Sequence, residues 1–102
     1  MDTTEIFNAT VGIGANATGA IFTPTGKHNE DALVQVSMTT SATVSLQGRS
    51  SPVAPWINIR LTPAGDVNFF LDGYGTIPLF PQMRVVVLGG LASSNIVVWL
   101  VD

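Results

Sequence analysis

The sequence predicts an all-β protein, a small antiparallel β-sandwich or jelly-roll-like barrel of about eight strands. Strand-length runs follow one another at short spacing, Gly, Pro, Ser and Asn separate them, and polar and apolar residues alternate within several of them. The 102 residues suffice for one core, because a folded chain of this mass buries about 64% of the surface that it exposes when unfolded. We therefore expect a single β domain over residues 1–102.

The predicted strands follow in order between turn residues. The first two flank a Gly/Ala-rich stretch. The third and fourth alternate Val, Met, Ala or Leu with Gln, Ser or Thr, so that each has one face in water. A helix beginning at Asn29 is the competing interpretation of the third run, but the β-branched Val34 and Val36 favour a strand. All prolines fall in or beside the connections, where a missing N–H breaks no ladder. The predicted strands are 6–12, 19–23, 32–38, 42–47, 56–62, 67–72, 83–88 and 96–101.

The last two strands, 83–88 and 96–101, are largely apolar on both alternating faces. Continuous apolar runs are typical of strands that are covered on both sides. Because a two-layer sandwich has no third layer, the cover is either another subunit or the long loop 73–82 folded over that face. The first possibility predicts a homo-oligomer, a dimer or trimer, with these interface residues: Val97, Trp99, Val101, Val86, Leu88 and Trp56.

Composition limits the partners. Charged residues make up 11% of the chain, against about 25% in a typical soluble domain, so we expect more apolar surface than one small core can hide. Four Lys and Arg residues in a chain of net charge −3 leave no basic footprint for nucleic acid. No apolar run approaches the ~20 residues of a membrane span, and the acidic start, residues 1–5, does not resemble a secretory signal. We expect synthesis in the cytoplasm and no membrane partner.

No constellation of residues indicates catalysis. His28 is the only histidine and there is no cysteine, so a zinc site lacks its ligands and a catalytic triad lacks an oriented nucleophile. Asp66 and Asp72 flank a predicted strand that holds them about 20 Å apart, too far for a glycosidase pair. We expect no enzymatic activity, no catalytic residue, no cofactor and no metal.

Two glycine-rich motifs predict turns instead of ligand sites. Residues 12–17, Gly-Ile-Gly-Ala-Asn-Ala, match a relaxed dinucleotide fingerprint, but the β-rich residues that follow do not begin the helix that would hold the pyrophosphate. Residues 72–75, Asp-Gly-Tyr-Gly, lack the spaced oxygens of a calcium loop and predict a tight turn.

The aromatic residues offer a second hypothesis. Trp56, Tyr74 and Trp99 would form a sugar-stacking platform if they lay on one surface, because an aromatic ring packs against the apolar face of a sugar. Few Asp, Asn and Arg residues accompany them in the sequence to bind hydroxyls. Glycan binding is therefore the weaker alternative.

A resemblance rests on three segments: 42–49 (Ala-Thr-Val-Ser-Leu-Gln-Gly-Arg), 56–59 (Trp-Ile-Asn-Ile) and 81–85 (Pro-Gln-Met-Arg-Val). These segments follow one another in this order and are followed by a last apolar strand. Over residues 32–101 this succession resembles that of small β-sandwich virion proteins of tailed bacteriophages, particularly capsid cement or decoration proteins. The resemblance implies a non-enzymatic subunit on the capsid surface of the virion that binds the major capsid protein or other virion proteins and stabilises the shell. A tail or fibre structural role stays open. The polar residues 1–8 then predict a flexible or partner-docking N-terminal arm.

Overall fold

The computed structural model describes residues 3–24, 31–62, 65 and 68–101. These residues form nine β-strands and no helix, which confirms the predicted all-β class. The described residues consequently include no helix that is long and apolar enough to cross a membrane. The strands are β1 (Thr3–Val11), β2 (Asn16–Thr18), β3 (Asp31–Met38), β4 (Thr43–Arg49), β5 (Ile57–Asn58), β6 (Asn68–Phe69), β7 (Gly73–Pro78), β8 (Gln82–Leu88) and β9 (Ser94–Val101).

The described strands form two antiparallel sheets that pack face to face. The first sheet has the order β1-β9-β3-β7 and the second the order β2-β8-β4-β5, with β6 also paired to β4. The pairs β1–β9, β2–β8, β3–β7 and β4–β6 are nested like the two arms of one long hairpin. The two packed sheets confirm the predicted small antiparallel β-sandwich, and a long hairpin wrapped into two sheets gives this sandwich the jelly-roll topology.

The core lies between the sheets and follows the period-two alternation. Along β3, β4, β8 and β9 every second side chain is buried, and the residues between them face outward. Each Val or Leu that is fully buried contributes about 1.5–3 kcal/mol relative to its exposed state. The apolar side chains that are almost wholly excluded from solvent are Val34, Val36, Val44, Leu46, Ile77, Met83, Val85, Val87, Ile96, Val98 and Leu100.

The loop predicted over residues 73–82 is wrong in its first half. Gly73–Pro78 is the edge strand β7, which pairs with β3 from Val36 to Asp31. Gly73 and Gly75 make close packing possible, since a Cβ atom would lie 3.3 Å from the Phe69 ring at the first position and 3.2 Å from the Leu61 side chain at the second. The predicted tight turn at 72–75 is therefore also wrong. Because β7 extends the first sheet sideways, this segment does not cover the outer faces of β8 and β9.

In the structure, residues 3–8 of the predicted flexible or partner-docking N-terminal arm form the first part of the edge strand β1 instead of a free segment. Thr3 pairs with Val101, Val11 pairs with Ser94, and a bulge interrupts the ladder between Glu5 and Phe7. The exposed face of this edge strand carries polar residues, which in the sequence resemble those of a solvated tail. Residues 1 and 2 lie outside the described residues.

The strand predicted at 19–23 begins and ends earlier, as β2. After β2 the chain still follows β8, because the Gly19 amide donates to the Val85 carbonyl at 2.7 Å and Phe22 forms a two-bond bridge with Met83. Two residues separate Gly19 from Phe22, whereas only one residue separates their partners Val85 and Met83 on β8. That extra residue interrupts the ladder, in the manner of a bulge.

The strand predicted at 56–62 is reduced to Ile57–Asn58. The chain then leaves the second sheet, and Thr62 bridges to Thr76 in the first sheet. A segment that crosses from one sheet to the other cannot keep pairing with either along its whole length. The strand predicted at 67–72 is likewise limited to Asn68–Phe69 among the described residues.

Candidate interaction surfaces

The outer face of the first sheet carries the predicted interface residues of β9. Val97, Trp99 and Val101 are half-buried and alternate with the core residues of the same strand. The register aligns Glu5, Trp99, Gln35 and Tyr74 in one row across all four strands. This face therefore has an apolar centre along β9, which Leu33 of β3 extends beside Val101, between flanks on β1 and β3 that are otherwise polar.

The structure separates the six predicted interface residues onto two opposite surfaces. Val86 is half-buried and Leu88 is 47% exposed on the outer face of the second sheet. Trp56 stands over the same face beside Arg84. No single partner surface can therefore contact all six residues at once, and the predicted interface divides into a first-sheet part and a second-sheet part.

Trp56 stands next to two arginines on the outer face of the second sheet. The guanidinium carbons of Arg49 and Arg84 each lie 4.3 Å from the centroid of its ring. Arg49 Nε donates to Gln82 Oε1 at 2.7 Å, and Arg84 Nε donates to Gln47 Oε1 at 2.8 Å. Cation–π contacts and hydrogen bonds thus fix all three side chains in place.

The three-residue aromatic platform does not form, because Trp56 belongs to the other sheet. Tyr74 and Trp99 do share the outer face of the first sheet, two strands and therefore about 10 Å apart. A shallow groove of about 330 Å³ runs beside Tyr74 and is lined by Gln35, Ser37 and Asp72. The sequence argument had missed this polar lining, which comes from strands that are distant in the chain.

A further surface, absent from the sequence prediction, lies at the end of the sandwich where β1 and β3 terminate and β4, β7 and β9 begin. We call it the loop end and define it by four exposed side chains. Their exposed fractions are 71% for Ile13, 57% for Phe70, 67% for Leu71 and 98% for Leu91. With about 200 Å² for each fully exposed side chain, they present roughly 500 to 600 Å² of apolar surface. This sum is comparable with the largest apolar patch of an ordinary monomer, and it is spread across the end of the sandwich, because Ile13 follows the edge strand β1 and Leu71 precedes the opposite edge strand β7.

Hydrogen bonds brace the loops that carry these side chains. The Gly14 amide donates to the Gly90 carbonyl at 3.1 Å, and the Gly89 amide donates to the Ala15 carbonyl at 2.6 Å. Glycine is required at 89 and 90, because a Cβ atom at either position would collide with the backbone of a neighbouring loop. The loop of Ile13 is therefore fixed against the loop of Leu91.

Polar side chains join the other loops in the same way. Thr40 Oγ1 donates to the Ser93 carbonyl at 2.8 Å, and Ser41 Oγ donates to the Phe70 carbonyl at 2.7 Å. The Met38 amide donates to Asp72 Oδ1 at 2.6 Å. The apolar side chains of the loop end consequently stand on a rigid base.

One sequence signal could have revealed the loop end. Ile13 lies between two glycines, Leu91 follows Gly-Gly, and Phe70 and Leu71 precede Asp-Gly. Connecting segments run over the surface, so large apolar residues beside turn glycines are expected to stay exposed. Assigning 67–72 to one predicted strand placed Phe70 and Leu71 in a sheet and hid this signal.

The residues considered for chemistry are placed as follows. His28 and Asp66 lie outside the described residues, while Asp72 binds the β3 backbone as above. Residues 12–15 form a turn with Gly14 at φ 63°, and the strand β2 instead of a helix begins at Asn16. Within the part of the chain that the structure describes, no three His, Cys, Asp or Glu side chains are grouped closely enough to hold a metal ion.

Comparison of the sequence with models of known protein families and with curated proteins gave no match.

Proposed function

We propose that this chain is a non-enzymatic structural protein of a phage virion, a capsid cement or decoration protein, and that the loop end is its principal attachment surface. The observation that carries the proposal is the braced apolar loop end. Exposed apolar side chains on rigid loops favour association with another protein. Rigidity helps further, because loops that are already ordered lose little conformational entropy on binding.

The apolar area of the loop end is smaller than a typical specific interface, so the proposal includes a second contact surface. A specific interface buries about 800 Å² per partner, more than the roughly 500 to 600 Å² of the loop end. Val97, Trp99 and Val101 on the first sheet provide further apolar surface. In the proposal the loop end contacts the major capsid protein or another virion protein, and the first-sheet face joins copies of the chain into a dimer or trimer.

The fold is compatible with this function but does not select it. Jelly rolls occur in viral capsid proteins and in lectins alike, and one fold hosts many functions. The sequence resemblance to capsid cement proteins is what favours the virion role among these alternatives. A tail or fibre attachment would use the same surfaces and differ only in the partner.

The proposal is tested with heads, stripped of accessory proteins, from the phage that encodes the chain. We expect the purified protein to co-sediment with these heads and to raise the temperature at which they release DNA, since a ligand that binds the intact shell stabilises it. The variant Leu91→Ser should bind at least tenfold more weakly. Val53→Ser is the matched control, because Val53 is 94% exposed in the loop that follows β4, at the opposite end of the sandwich.

Two results contradict the proposal. One is the absence of co-sedimentation with heads and with tails. The other is an equal loss of binding in Leu91→Ser and Val53→Ser, which would remove the loop end as the attachment surface. Retained density on the tail instead of the head, seen by electron microscopy of the native particle, would replace the cement role by a tail role.

Glycan binding is the second candidate, favoured by one observation. Tyr74 is 78% exposed beside the groove formed by Gln35, Ser37 and Asp72, and an exposed aromatic face with polar neighbours is suited to a sugar. Specific binding on a glycan array that is lost in Tyr74→Ala, together with no binding to heads, would favour this function over the virion role.

A further inference from the structure

We infer that Arg49, Arg84 and Trp56 form an anion-binding site on the outer face of the second sheet, and that its ligand is a pair of carboxylates on an acidic protein segment. This surface is opposite the first-sheet face. The inference does not rest on the proposed virion function.

Charge separation is the first argument. The three acidic residues that the structure describes, Glu5, Asp31 and Asp72, lie in the first sheet or in the loop that leads into β7. The outward residues that flank the two arginines in the register are the neutral Gln47, Gln82 and Asn58. Two of the four Lys and Arg residues of an acidic chain are thus brought together on one face with neutral hydrogen-bonding partners.

The side chains are also arranged in advance of binding. Each Nε atom is occupied by a glutamine oxygen, and Gln47 Nε2 in turn donates to Asn58 Oδ1 at 3.1 Å. Because Nε is already hydrogen-bonded, the two terminal nitrogens of each guanidinium are the donors that can bind a carboxylate in a bidentate manner. The Trp56 ring holds both groups at a fixed separation.

That separation indicates the kind of ligand. Because each guanidinium carbon is 4.3 Å from the same centroid, the two carbons are at most twice that distance apart. On an extended segment, residues i and i+2 point to the same side and lie about 7 Å apart. The upper limit on the separation of the two guanidinium groups is compatible with this spacing, so that two Asp or Glu residues can each meet one arginine. An acidic protein segment is favoured over nucleic acid, because two arginines can meet two carboxylates, whereas four Lys and Arg residues in the whole chain form no basic stripe that could follow a phosphate backbone.

The test uses Trp56 as its own reporter. In a Trp99→Phe background Trp56 is the only tryptophan, and its fluorescence is followed during titration with poly-L-glutamate at low salt. We expect a saturable change in emission whose midpoint rises at 150 mM salt, as ion pairing at a partly exposed site requires. Arg84→Gln and Arg49→Gln should each raise the midpoint at least tenfold. The midpoints of the corresponding lysine variants should lie between those of the parent and the glutamine variants, because lysine keeps the charge but lacks the planar guanidinium that binds a carboxylate with two hydrogen bonds.

Arg60→Gln is the matched control, since it removes the same charge from an exposed arginine that donates to the Gly65 carbonyl and, unlike Arg49 and Arg84, does not stack on Trp56 in the described structure. We expect its midpoint to stay within twofold of the parent. Circular dichroism melts verify that each variant is folded. The two arginine variants test the site independently, because different glutamines hold the two side chains.

Three outcomes overturn the inference. They are no emission change with poly-L-glutamate, an equal loss of affinity in Arg60→Gln, and binding of polygalacturonate as tight as that of poly-L-glutamate. The last result would assign the site to acidic polysaccharides. Because no phage head is used, failure here leaves the proposed function standing, and failure of head binding leaves this site standing.

Discussion

Val98 and Trp99 are neighbours in β9 that point to opposite faces of the first sheet. Val98 is 0% exposed and packs in the core between the sheets. Trp99 lies on the outer face between its register partners Glu5 and Gln35. Val98→Ala and Trp99→Ala therefore form a matched pair, in which the first change should act on stability and the second on association.

The expected magnitudes follow from these surroundings. Val98→Ala removes two methyl groups at about 0.8 kcal/mol each and leaves a cavity of about 50 Å³, so the free energy of unfolding should fall by about 2–3 kcal/mol. In a chain of 102 residues each kcal/mol corresponds to about 5 °C, which lowers Tm by about 10–15 °C. Trp99→Ala removes two lateral cross-strand contacts of about 0.2–1 kcal/mol each, so its Tm should fall by less than about 10 °C.

Association is measured by sedimentation velocity over a range of concentrations, at a temperature well below both melting transitions. We expect Trp99→Ala to shift the protein toward monomer and Val98→Ala to sediment like the wild-type chain. Melts are recorded at low concentration, because oligomers raise Tm by mass action. A wild-type protein that stays a monodisperse monomer at high concentration would refute the proposed covering of the first-sheet face by a second copy. A Tm loss in Trp99→Ala equal to that of Val98→Ala would refute the assignment of Trp99 to the outer face.

Three further predictions concern stability. Gly48→Ala should cost about 1–3 kcal/mol in a denaturant titration, because the new Cβ atom would lie 2.6 Å from Phe80 Cγ, and Phe80→Leu should restore part of the loss. Asp72→Ala should cost about 1–3 kcal/mol by leaving the Met38 amide without its carboxylate acceptor, whereas an isosteric Asp72→Asn should cost less. Melts with and without EDTA should superimpose, because the chain has one histidine and no cysteine; a lower Tm in EDTA would contradict this.

Where a strand lies in the middle of a sheet, its local pattern was sufficient to predict it. The alternation of 32–38 and 42–47 and the apolar runs 83–88 and 96–101 correspond closely to β3, β4, β8 and β9. These four strands each have neighbours on both sides in the described sheets. A central strand must bury at least one of its faces, so at least every second residue in its sequence is apolar.

At the edges the pattern failed. The edge strand β7 contains Gly73 and Gly75, which in sequence suggest a turn but in the structure make room for Phe69 and Leu61. The polar residues at the start of β1 suggested an arm, although that strand pairs with β9 along its length. A free edge needs little apolar burial, so its residues carry a weak signal.

By itself the sequence determined the all-β class, the central strands and the scarcity of charge, because each depends on residue type and on spacing along a few residues. The tertiary structure alone decided which distant segments meet. It separated Trp56 from Trp99, brought Arg49 and Arg84 to one ring, and gathered the apolar loops of Ile13 and Leu91 at one end. These juxtapositions depend on nested pairing between strands that are far apart in the chain, and no local pattern encodes the order in which such strands pair.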